Sequence, residues 1–81
     1  TKAGFAVEEM PEVYTHRQRI YVSTKTYAKQ LEIFDMTGRK MAGYPLGDPG
    51  SYSFDLPLPK GTYIVRIEGK TARFTQKIII P

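Results

Sequence analysis

The sequence has no cysteine, no tryptophan and a single histidine, His16, in 81 residues. Without cysteine there is no disulfide, no thiolate zinc site and no cysteine nucleophile. One histidine excludes multi-histidine metal sites and makes any Ser-His-Asp arrangement depend on His16. That residue lies in Tyr14-Thr15-His16-Arg17-Gln18, a polar stretch that reads as an exposed turn and a surface histidine. Carboxylates are few. Asp35 fits a turn and Asp55 the polar face of a strand, and no two share an apolar setting that would drive their pKa values apart. Gly47 and Gly50 flank Asp48-Pro49 with no helix after them, so no phosphate-cradling loop is present. The composition therefore predicts no enzyme, no metal and no cofactor. No apolar run approaches the roughly 20 residues that span a bilayer, and Thr1 to Glu12 lacks the apolar core of a signal peptide. The expectation is a piece of a longer protein, with any export signal upstream. A chain this short forms one domain and buries roughly 60–65% of its unfolded surface, too little for a deep self-contained cleft.

What is present is charge, aromatics and alternation. Lys and Arg number 12 against 8 Asp and Glu, with 6 Tyr and 4 Phe. The opening residues 1–12 are acidic, with Lys2 against Glu8, Glu9 and Glu12, and read as a linker or short first strand around Phe5 to Val7. The basic remainder, 13–81, reads as the domain proper. No segment keeps apolar residues at helical spacing for three turns. Strand patterns are frequent. Ser51 to Leu56 alternates strictly, placing Tyr52, Phe54 and Leu56 on one face. Tyr63, Val65 and Ile67 share a face within Thr62–Glu68, as do Ile20 and Val22 within Arg19–Ser23. Gln30–Met36 carries Leu31 and Ile33 on one side and Phe34 and Met36 on the other, as a central strand would. Arg39–Tyr44 is a weaker partner, and Arg73–Ile80 is the last strand, with Phe74, Ile78 and Ile80 together.

The turns agree with this reading. Asp35-Met36-Thr37-Gly38 predicts a hairpin with a bulge at Gly38, since Asp accepts a backbone bond at the first turn position and Gly tolerates positive φ at the fourth. Pro45–Gly50 is a loop, and Glu68-Gly69-Lys70-Thr71 a tight hairpin. Pro57 and Pro59 lack ladder donors and mark a crossover. The crossover leads through Gly61 into Tyr63, the pattern of a tyrosine corner. The predicted fold is all-β, an immunoglobulin-like Greek-key sandwich of about seven antiparallel strands.

Two further features bear on function. Arg17, Arg19, Tyr21, Lys25, Tyr27 and Lys29 fall close together, as in an aromatic–basic surface for single-stranded nucleic acid. A solvated strand face is the stronger reading, because charge alone gives non-specific attraction and no RNP-like or helix-turn-helix signature accompanies it. Nucleic acid is therefore not an expected partner. The chain closes on Lys77-Ile78-Ile79-Ile80-Pro81. Alternation would place Ile78 and Ile80 in the core and turn Lys77 and Ile79 outward, where another protein could read them by side-chain pockets and edge pairing.

These residues resemble a family. Gln30-Leu31-Glu32-Ile33-Phe34-Asp35-Met36-Thr37-Gly38-Arg39 is similar to the first hairpin of type IX secretion C-terminal sorting domains. Leu58-Pro59-Lys60-Gly61-Thr62-Tyr63-Ile64-Val65-Arg66-Ile67 resembles their Leu-x-x-Gly-x-Tyr strand, and Lys77-Ile78-Ile79-Ile80 their basic-then-aliphatic ending. The likeness runs from about Glu8 onward and keeps the motif order. It implies a secretion signal that directs a larger cargo through an outer-membrane translocon of Bacteroidetes-type bacteria, by way of the periplasm, to the cell surface or the medium. It implies Lys77, Ile78, Ile79 and Ile80 as the residues the translocon recognises, with Asp35, Gly38, Gly61 and Tyr63 specifying the fold. In many relatives a sortase-like peptidase removes the domain, here within or upstream of residues 1–12. One departure stands out. Val13-Tyr14 is followed by Thr15-His16-Arg17 where the family usually has Tyr-Pro-Asn-Pro, so the entry lacks the stiffening of those prolines, and a cleaved and a retained member both stay open. Pairing of two copies through an edge strand is a further expectation. The rival reading is a fibronectin-like binding or spacer sandwich without an export role.

Overall fold

The computed structural model describes residues 10–70 and 72–81. Alternating polarity is realised as seven strands: β1 (Glu12–His16), β2 (Arg19–Thr24), β3 (Ala28–Asp35), β4 (Lys40–Pro45), β5 (Gly50–Asp55), β6 (Gly61–Gly69) and β7 (Arg73–Ile80). They form two antiparallel sheets, one ordered β1-β2-β5 and the other β4-β3-β6-β7. This is the Greek-key order of immunoglobulin-like sandwiches. The fourth strand pairs with the third, so it lies in the second sheet and not beside the fifth strand. The strand proposed at Phe5–Val7 lies outside the described residues.

The core lies between the sheets. From the three-stranded sheet come Val13, Ile20 and Val22, and from the four-stranded sheet Leu31, Ile33, Val65, Ile67, Ile78 and Ile80, with Leu56 and Leu58 of the crossover filling one end. Each inward residue is separated by one outward residue, the period of a pleated strand with a single covered face. Ile20, Leu31, Ile33, Leu56, Val65 and Ile67 are fully buried. A fully buried side chain of this size is worth roughly 1.5–3 kcal/mol, so in a fold without disulfides these few residues carry most of the stability.

The margins are closed by specific groups. On one side β1 lies beside β7 and runs in the same direction. Thr15 Oγ1 donates to Ile79 O at 3.2 Å and Gln76 Nε2 to Val13 O at 3.0 Å. On the other side Tyr44 of β4 stacks on Phe54 of β5 at 4.5 Å between centroids and donates to Asp55 O at 2.7 Å. Burial of the Tyr44 phenol, aided by the Asp55 carboxylate, raises its pKa. The crossover is fastened by Tyr63, whose hydroxyl donates to Pro59 O at 2.7 Å, the tyrosine-corner bond. Gly61 opens β6 with φ of +154°.

Three local readings need correction. Tyr14-Thr15-His16 is not a turn but the end of β1, paired with Arg19, Ile20 and Tyr21. The turn is Arg17-Gln18 alone, with Arg17 at φ +59°. The β3–β4 hairpin carries a second irregularity beyond the turn, because Ile33 pairs with Ala42 while Phe34 pairs with Lys40, leaving Met41 unpaired. β3 is central by pairing, yet only its Leu31 and Ile33 face is covered by the other sheet. Met36 belongs to the turn and is 61% exposed.

Candidate functional site

The outer face of the four-stranded sheet is built in rows by the strand register. The first row joins Gln30, Glu68 and Arg73; the second Glu32, Arg66 and Thr75; the third Phe34, Ile64 and Lys77; the last Thr62 and Ile79. The face therefore grades from polar to apolar toward the end where the β3–β4 turn lies.

The polar end is fully paired. Gln30 Nε2 donates to Glu68 Oε1 at 3.2 Å, and Arg73 lies 3.5 Å from the same carboxylate. The second row is centred on Glu32, a buried carboxylate. Arg66 donates to its Oε1 from Nε at 3.1 Å and from Nη2 at 2.7 Å, and Lys40 Nζ lies 3.3 Å from Oε2. Lys40 reaches across Gly43, where an added Cβ would stand 3.0 Å from the lysine Cε, so glycine leaves the room this approach needs. The Arg66 hydrogen bond lowers the Glu32 pKa against the opposing effect of burial, and Lys40 adds to the lowering. A buried charge requires such partners. The Arg66 guanidinium also covers the Phe34 ring, 4.7 Å from its centroid, a cation–π contact.

At the apolar end the turn is held by one side chain. Asp35 Oδ1 accepts from Thr37 N at 2.9 Å, Thr37 Oγ1 at 2.7 Å and Arg39 N at 2.9 Å, and Oδ2 from Arg39 Nε at 3.2 Å. The Thr37 hydroxyl bond, then the Arg39 amide, hold its carboxyl down at about 2. Gly38 sits at φ +92° with its N–H bonded to Asp35 O, while Asp35 N donates to Arg39 O. This is a type I turn closed by a glycine bulge. Behind the turn is an open groove of about 360 Å³, lined by Phe34, Asp35, Met36, Gly38, Ile64, Arg66 and Thr75.

The register brings the residues singled out from the sequence to this end. Asp35 pairs with Tyr63 and Tyr63 with Ile78, while Gly61 pairs with Ile80. Along Lys77–Ile80 the four side chains divide. Ile78 and Ile80 are buried, whereas Lys77 is exposed and Ile79 is 63% exposed. Glu32, Lys40 and Arg66 escaped sequence reasoning. Their signal was a carboxylate between Leu31 and Ile33 and an arginine between Val65 and Ile67, but only the register shows that the two meet. Among the described residues no three His, Cys, Asp or Glu converge as a metal site.

A bonded turn, an apolar groove and an outward aliphatic on the last strand form a surface for contact. The family model described as secretion system C-terminal sorting domain matches residues 16–81. The chain belongs to this family. Sorting domains of this kind are the C-terminal signal for type IX secretion, and this one directs the protein that carries it across the outer membrane, to the surface or the medium. They act through the type IX machinery and are not an enzyme family. The match supports a sorting signal and gives no support to a spacer module. No curated protein matches the chain.

Proposed function

We propose that this sorting domain is read in its folded form, through the outward side of its last strand. In this reading Lys77 and Ile79 are the recognised groups, and Ile78 and Ile80 hold them in place from the core. Asp35, Gly38, Gly61 and Tyr63 fix the frame. The observation that carries the reading is Ile79, an aliphatic side chain 63% exposed beside two buried ones and so open to a partner without disturbing the core. Residues 13–81 form the signal proper and 1–12 the connection to the cargo. A sortase-like peptidase acts on that connection or upstream of it in the members that are processed, and the signal passes through the periplasm on its way.

Deleting Lys77–Pro81 would remove two core residues along with the recognised pair, so a double point change is the cleaner experiment. A cargo carrying Lys77→Glu with Ile79→Asp should keep its folded domain and accumulate in the periplasm. Undiminished cargo at the cell surface would refute the reading. Pairing of two copies through an edge strand is a secondary element, tested by sedimentation of the whole protein across concentration, where a mass that stays at one copy would refute it.

A further inference from the structure

We infer that the groove behind the β3–β4 turn and the outward side of β7 form one docking surface. Its occupant is a short extended segment of the type IX outer-membrane machinery that carries an apolar side chain flanked by carboxylates. The inference rests on the reading of β7 just given and extends it across the sheet.

Three observations support it. First, Met36 at 61% and Ile79 at 63% are exposed apolar side chains at the same end of this face; Thr62 stands opposite Ile79, and the adjoining row holds Phe34 and Ile64, both half-buried, and ends in Lys77. A cluster of exposed and half-exposed apolar side chains on one face of a small domain marks a contact surface. Second, Met36 is not presented by a loose loop. Its turn is fixed by four bonds to the Asp35 carboxylate, so ordering it on binding costs little. Third, the charge has a sign. Glu32 is shared by Arg66 and Lys40, leaving one cation in excess, and Asp35 is occupied by Thr37 and Arg39. Lys77 has no carboxylate within ion-pair distance among the described residues. An approaching partner meets an apolar floor under net positive charge, which selects carboxylates beside an apolar anchor. From β3 across β6 to β7 is about 10 Å, the span of three extended residues.

The opposite face supplies the control. Tyr14 stacks on Tyr21 at 4.9 Å there, and Tyr14 is 61% exposed. The experiment places a photocrosslinking amino acid at position 36, 79 or 14 of the whole cargo in cells. Alongside it, binding of the purified cargo to the purified translocon is measured for Met36→Asp, Met36→Leu and the unchanged protein. Positions 36 and 79 should crosslink to the same translocon subunit and position 14 to none. Met36→Asp should weaken binding about tenfold or more, with Met36→Leu close to the unchanged protein. Crosslinking from 79 with silence at 36 would overturn the extended surface and leave the β7 reading standing. Silence at both with crosslinking from 14 would overturn both. Crosslinking of position 36 to lipid alone would show a membrane-facing patch and overturn the protein partner.

Discussion

Ile79 and Ile80 are neighbours of identical chemistry with opposite surroundings, and replacing each by alanine separates recognition from folding. Ile80 is 1% exposed at the end of β7, opposite Gly61. Removing its three outer carbons forfeits about 0.8 kcal/mol per methylene, and the void adds a cavity term, giving about 3 kcal/mol. Ile79 has about a third of its surface covered, so the same truncation costs under about 1 kcal/mol. For a domain of this size each kcal/mol moves the melting temperature by roughly 4–8 °C. Thermal unfolding followed by circular dichroism should therefore place Ile80→Ala roughly 12–24 °C below the unchanged protein and Ile79→Ala within a few degrees of it. Whole-cell fractionation of the cargo should give a different order. Ile79→Asp should lose surface cargo while remaining folded, and Ile80→Ala should lose it only as the domain unfolds. If the two alanine variants melt together, the inward–outward alternation of β7 is wrong. If Ile79→Asp folds and exports normally, the outward side is not what the machinery reads.

Other consequences can be checked on the same protein. Tyr63→Phe removes the hydroxyl bond to Pro59 O and should cost about 1 kcal/mol in urea unfolding, with the fold retained. Glu32→Gln leaves Arg66 and Lys40 without their shared charge and should cost about 1–3 kcal/mol in the same assay, less than a core truncation because both cations reach solvent. Asp35 and Glu32 each titrate lower in the folded protein than their ordinary 3.8 and 4.5. Each therefore stabilises the fold above those values, and that contribution disappears as pH falls through the folded pKa, about 2 for Asp35. The melting temperature should drop between pH 5 and 2, and less steeply in Asp35→Asn. Arg17 occupies φ +59°, where a Cβ costs roughly 1–2 kcal/mol. Arg17→Gly relieves that strain against a glycine entropy cost of roughly 0.5–1 kcal/mol, so stability should be unchanged or rise by up to about 1.5 kcal/mol, measured by urea unfolding, and a loss would refute the strain.

Strict alternation made β5, β6 and β7 legible, because each has one face on the core and one in water. The crossover was legible because Pro57, Pro59, Gly61 and Tyr63 punctuate it chemically. β1 was not. Its Tyr14-Thr15-His16 is polar or amphipathic throughout, and the turn after it uses Arg17 where a glycine or asparagine would have signalled positive φ. The division of Lys77–Ile80 into outward and inward pairs followed from period two alone. The groove did not, since it depends on which rows of β3, β6 and β7 align and on the absence of a covering layer over Phe34. The Glu32 cluster was hidden for the same reason: Arg66 lies 34 positions from Glu32 in the chain and reaches its carboxylate only once the register is set.

The arrangement of β1 against β7 has a mechanical consequence. Strands that lie side by side and point the same way resist being dragged past one another when a backbone ladder joins them, for all its bonds must then break at once. Here the join is two side-chain bonds, from Thr15 and from Gln76. Tension applied between these two strands should therefore part that seam at a lower force than a backbone ladder would withstand, while the β1–β2 ladder and the shared core still hold β1 in place.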